Sequence, residues 1–262
     1  ALAPPVQPTA LSTVYSGPIS GFGSVIVHGV RVETVGANLS DDDGNPVRLQ
    51  DLALGMSVNV DGTVNDSTGR GSARSLSLVH GNTGPITAID RANQTITVMG
   101  LTIKTHTATA YKNVTSFGAL AVGDAVEVYG TLQTDNSVLA TLIEKETGAY
   151  TNRVVGRVSQ LDTNAKTFKV GSLLVNYGTA TLVGALAEGR QIKVQAMQGP
   201  VNNMLTAYSI KVSDGAAYGS SVAPSSYLKL KGVAEAAPLN GVLTVSGTRV
   251  NVAQAIYEGG TT

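Results

Sequence analysis

Cysteine is absent from this 262-residue chain, which excludes thiol nucleophiles, thiolate metal sites and disulfide staples. Tryptophan is absent too, and three Phe and nine Tyr leave few platforms on which bases or sugar rings could stack. Neither charge sign prevails, with 18 Lys and Arg against 18 Asp and Glu. A nucleic-acid binder needs a basic field to displace counterions from phosphates, and none exists here. No apolar run approaches the ~18 residues of a membrane-spanning helix. Histidine is scarce: His28, His80 and His106 stand at non-equivalent positions without an H-x-x-x-H pair. They read as isolated strand or surface side chains, not as zinc ligands or a general base. The one acidic cluster is Asp41-Asp42-Asp43-Gly44-Asn45. With Gly44 as the sixth residue of a calcium loop, the first ligand position falls on Leu39, so the cluster reads as a hairpin turn. These exclusions predict a protein that is not an enzyme. No catalytic or metal-ligating residues and no cofactor are expected, and neither is a nucleic-acid, membrane-spanning or small-molecule partner.

What the chain has in quantity is glycine, thirty residues of it, among Val, Leu, Ile, Thr, Ser and Asn. A strand, a Gly turn and a second strand recur along the chain. They read Ser24-Val25-Ile26-Val27-His28-Gly29-Val30-Arg31-Val32, then Thr95-Ile96-Thr97-Val98-Met99-Gly100-Leu101-Thr102-Ile103. The pattern returns as Phe168-Lys169-Val170-Gly171-Ser172-Leu173 and as Leu243-Thr244-Val245-Ser246-Gly247-Thr248. The turn glycines at 29, 100, 171 and 247 are therefore 71 to 76 residues apart. That period is too long for a solenoid rung and suits a small independent barrel.

A second landmark is a Gly followed by strict alternation. It runs Gly55-Met56-Ser57-Val58-Asn59-Val60, then Gly123-Asp124-Ala125-Val126-Glu127-Val128, and in degraded form Gly189-Arg190-Gln191-Ile192-Lys193-Val194. Val alternating with polar residues marks a strand with one buried face. Five such strands in one repeat predict an all-β fold of tandem small OB-like β-barrels, three complete units and a partial fourth, behind an extended N-terminal strand. The expected boundaries are a leader at 1–14, barrels at 15–81, 82–150 and 151–214, and a linker with an incomplete repeat at 215–262.

Gly17-Pro18-Ile19-Ser20-Gly21-Phe22-Gly23-Ser24-Val25, continuing to Gly55-Met56, resembles the first repeat of a bacterial family of domains of unknown function. The resemblance implies an exported protein, often a lipoprotein in that family, carrying barrel-like repeats in tandem. It supplies no catalytic residues. His28 stands where the family pattern has Asn, and no N-terminal Cys is available for lipidation, so an anchor does not carry over.

Two further expectations concern the ends. The chain begins at Ala1 without Met, which reads as a mature exported chain, secreted and extracellular or at the cell surface. The second glycine landmark of unit four would fall beyond Thr262, which leaves that unit without its closing hairpin and with an apolar cleft. Pro4, Pro5 and Pro8 keep the leader extended. The expected function is thus a structural subunit of an extracellular filament, a head-to-tail homopolymer in which one subunit's leader complements the next subunit's fourth unit. The expected subunit-interface residues are Val6, Leu11 and Val14 of the leader with Leu228, Leu230, Val233, Leu243, Val245, Val250 and Val252 of unit four. The alternative is an exported cell-surface binding module that offers a barrel face to an oligosaccharide or a protein.

Overall fold

Alternation does what a half-buried strand requires. In Ser57-Val58-Asn59-Val60 the two valines are buried and the polar residues are not. The computed structural model describes residues 12–65, 68–213, 228–231, 242–245 and 248–252. Among them the fold is all-β, and the only helical segments are the 3-10 turns Leu49–Asp51 and Phe117–Ala119. No helix among the described residues is long and apolar enough to cross a membrane.

Barrel one uses β1 (Ser12–Gly21), β2 (Val25–Val27), β3 (Val30–Glu33), β4 (Asn38–Asp41), β5 (Ser57–Asn65) and β6 (Arg70–Val79). The strands close in the order β1-β2-β3-β6-β5 and back to β1. Every contact in this ring is antiparallel except β3–β6, and β4 lies parallel to β6 farther along the same strand. Closure removes most free edges, which otherwise template aggregation.

Barrel two repeats the order with β7 (Asn82–Asp90), β8 (Thr95–Val98), β9 (Leu101–Lys104), β10 (Ala110–Lys112), β11 (Ala125–Leu132) and β12 (Val138–Lys145). In barrel three two of the long strands are broken. Its strands are β13 (Asn152–Arg157), β14 (Ser159–Asp162), β15 (Thr167–Val170), β16 (Leu173–Asn176), β17 (Thr181–Val183), β18 (Gln191–Ala196), β19 (Met204–Thr206) and β20 (Ser209–Val212). β13 and β14 together take the place of one first strand, and β19 and β20 that of one last strand. Beyond them lie β21 (Leu228–Lys231) and a hairpin of β22 (Val242–Val245) and β23 (Thr248–Asn251).

A glycine in each first strand receives the side chain that precedes the hairpin glycine. A Cβ at Gly17 would meet the His28 ring, one at Gly84 the Met99 Sδ, and one at Gly156 the Val170 Cγ1. The repeat therefore carries a second glycine constraint besides the turn itself. His28 and Met99 sit at φ 50° and 49°, a left-handed conformation that aims each side chain back over its glycine.

The structure differs from the sequence-based expectation in two respects. β1 starts at Ser12, ahead of the expected barrel boundary at 15, because Ser12–Val14 continue the ladder on Thr63–Asp61. The expected independence of the barrels also gives way. The chain forms two compact units, residues 1–79 with 218–233 and residues 80–217 with 234–262. Barrel two and strands β13, β17, β18 and β20 of barrel three form one ten-stranded sheet, and the two barrels share one apolar core within the second unit. Their hairpin tips interlock, with the Ser172 N–H and hydroxyl both donating to the Gly100 carbonyl at 3.0 and 3.1 Å.

Candidate functional site

The first strand of each barrel divides its pairing between two neighbours. In barrel one, Ser12–Pro18 pair with β5, and β2 is reached only at Ile19 and Gly21. The second edge of the opening residues is therefore not used by their own barrel. In barrel two the same division places Asn82–Pro85 on β11 and Ile86–Asp90 on β8. Each of these open edges is met by a strand from another repeat.

On β1 the strand that fills the edge is β21. It runs parallel, with Ser12 opposite Leu228, Thr13 opposite Lys229, Val14 opposite Leu230 and Tyr15 opposite Lys231. By the sequence reading β21 would open the fourth repeat, the position that β1 takes in the first. Of the expected interface residues, the register joins Val14 to Leu230 and aligns Leu228 with Ser12. Val14 is only 1% exposed and is part of the barrel-one core. On the β22–β23 hairpin Leu243 faces Val250 and Val245 faces Thr248, and Leu243, Val245, Val250 and Val252 are half-buried. Val6, Leu11 and Val233 lie outside the described residues.

On β7 the neighbour is β13, paired antiparallel at Thr83 and Arg153. This junction is polar and buried. The Val155 N–H donates to Asn82 Oδ1 at 2.7 Å, and Arg153 Nη1 donates to Thr83 Oγ1 at 3.3 Å. Asn136 exchanges a pair of hydrogen bonds with the Arg157 backbone at 2.9 and 3.2 Å. Beside them lies Glu127, whose Oε1 accepts from His80 Nδ1 at 2.9 Å and from the Gly81 N–H at 3.0 Å. Arg153 Nη1 stands 3.6 Å from the same oxygen.

Burial pushes the Glu127 carboxyl up, yet the hydrogen bond and charge of His80, with Arg153 and the Gly81 N–H, hold it below the ordinary range. Burial, the charges of Glu127 and Glu144 and a hydrogen bond to Glu127 push the Tyr129 hydroxyl far above the usual phenol range. One carboxylate thus fastens strand β11 to the His80-Gly81 connection and to β13 of the next barrel. Its chemistry is that of a fastening.

By sequence His80 is an isolated histidine, and the structure overturns that. Nothing in the sequence pairs it with Glu127, which lies 47 positions away. Glu127 occupies the polar phase of an alternating strand, where solvent exposure is the default expectation. The acidic cluster is a turn. Asp41 Oδ1 accepts from the N–H groups of Asp43 and Asn45 at 2.9 and 2.7 Å, closing it. No group of three metal-ligating side chains occurs among the described residues.

The stretch that forms the barrel-two ring is also the one that known families recognise. Residues 83–144 match the Domain of unknown function (DUF5666). The DUF5666 match begins inside β7 and ends inside β12, so it spans the whole ring and both glycine landmarks of that repeat. The Gly-Phe-Gly-Ser-Val stretch of barrel one lies outside the DUF5666 match. No curated protein matches the chain.

Proposed function

We propose that this protein is a structural subunit of an extracellular filament, a homopolymer in which the N-terminal segment of one subunit pairs with the fourth repeat of another. The observation that carries this reading is the β1–β21 ladder, because it joins the end of the leader to the first strand of repeat four by backbone pairing. A ladder of four residues contributes a few hydrogen bonds at about 1 kcal/mol each net. Each apolar side chain that becomes fully buried beside it adds about 1.5–3 kcal/mol. Ordering a free leader costs about 1–2 kcal/mol per residue, so Val6 and Leu11 decide whether residues 1–11 join the contact. Pairing between unlike surfaces, repeated without closure, produces an open chain of subunits.

Electron microscopy and sedimentation of the full chain across a concentration series test the reading. Filaments are expected from the intact protein, and their amount should rise with concentration. A protein that stays strictly monomeric at every concentration overturns it.

The ring order β1-β2-β3-β6-β5 favours a second reading, because oligonucleotide- and oligosaccharide-binding barrels use the same five-stranded Greek-key closure. In that reading the chain is an exported surface module for an oligosaccharide or a protein. Saturable binding of a cell-surface polysaccharide by a wholly monomeric chain would favour it.

A further inference from the structure

We propose that the β1 edge is an exchangeable socket, and that in the assembled form the strand seated in it is β21 of a second copy of this chain. The pairing within one chain is the closed form of the same contact. This rests on the filament reading and specifies its joint.

Three observations carry it. The edge of Ser12–Tyr15 opposite β5 receives nothing from barrel one itself, because β2 pairs only from Ile19 onward. The strand found there comes from more than two hundred residues away, in parallel register at four consecutive positions. Socket and strand are different surfaces, so a copy that gives its β21 to one neighbour still has its own socket free for another.

The exchange needs no new contact. Every backbone pair made in the closed chain is re-made between copies, so the contact energies nearly cancel and the balance is set by concentration. The closed form benefits from the effective concentration of a tethered strand, and crowding of copies competes with it. Dilute protein is therefore closed, and concentrated protein is linked.

The absence of native cysteine makes the test direct. Thr13 and Lys229 are register partners, and substituting them spares the Val14 core position. In full-length Thr13→Cys/Lys229→Cys oxidised while dilute, an internal disulfide is expected to form. The locked protein should then lose at least tenfold in sedimentable polymer, with recovery on reduction. Mixing the Thr13→Cys chain with the Lys229→Cys chain at high concentration should give a disulfide-linked heterodimer. Tyr15→Cys with Lys231→Cys is the second pair, used if circular dichroism shows that the first disturbs the fold.

If the unmodified chain forms filaments and the locked one forms them equally well, the exchange is wrong and the filament reading survives. The exchange is equally wrong if filaments form and the mixed single variants never cross-link. Failure of both pairs to form any disulfide overturns the β1–β21 contact itself. A chain that never polymerises removes the filament reading, and this inference falls with it.

Discussion

At the scale of single residues, glycines and one carboxylate decide most. Gly156 accepts no side chain, because a Cβ there would meet Val170 Cγ1 and stand 3.2 Å from Asn136 Oδ1. Gly156→Ala is expected to lower stability by about 1–3 kcal/mol, the usual cost of overpacking, in urea denaturation of the full chain. Gly84→Ala should cost less, since the Met99 thioether that it meets is flexible. Gly29→Ala meets nothing within 4 Å and should cost only the strain of its positive φ.

Glu127 behaves differently, because its removal leaves the buried Arg153 and the half-buried His80 beside a lost charge. Glu127→Ala is expected to cost about 3–5 kcal/mol by the same assay, as for other broken buried ion pairs. Its pH dependence follows from the lowered carboxyl. The stabilisation is present above the unfolded carboxyl value of about 4.3 and disappears as pH falls through the lower folded value. Glu146, raised by burial and by the charges of Glu127 and Glu144, works in the opposite sense and offsets part of the loss. Acid titration of stability should therefore be flatter in Glu127→Gln than in the native chain, and an unchanged profile would contradict this assignment.

At the scale of elements, pairing of first strands is the recurrent device. β7 and β13 meet at a single backbone bridge, and Asn82 compensates by accepting the Val155 N–H. Asn82→Ala removes the acceptor of that part-buried donor, at a cost of about 1 kcal/mol. Amide exchange at Val155 should accelerate by roughly tenfold for each 1.4 kcal/mol lost, with exchange in β2 and β3 of barrel one unaffected. The alternation of β5 and β11 and the hairpin glycines were legible in the sequence, since period and turn chemistry are local properties. The partner of an open edge was not, because backbone hydrogen bonds between distant strands leave no residue-type signature. Val14 illustrates the difference: its apolar character was legible, yet the barrel that buries it was not.

At the scale of the whole molecule, the barrels have unequal fates. Barrels two and three share a core in which Leu101, Val170 and Leu173 belong to one cluster. A fragment of residues 80–213 is therefore expected to unfold in one cooperative thermal transition. Residues 80–147 alone would expose the Gly100 tip and the Glu127 cluster, and should melt at least several degrees lower. Equal melting temperatures for the two fragments would show that the shared core contributes little.

The sequence by itself determined the all-β class, the position of each hairpin and the absence of thiol chemistry. Each of these follows from residue type and spacing over at most a few dozen positions. Only the tertiary structure decided that His80 serves Glu127, that barrels two and three fuse, and that β21 seats on β1. Those outcomes depend on which surfaces remain open after each ring has closed. An open edge is a property of backbone geometry, and any strand of suitable length and polarity can satisfy it.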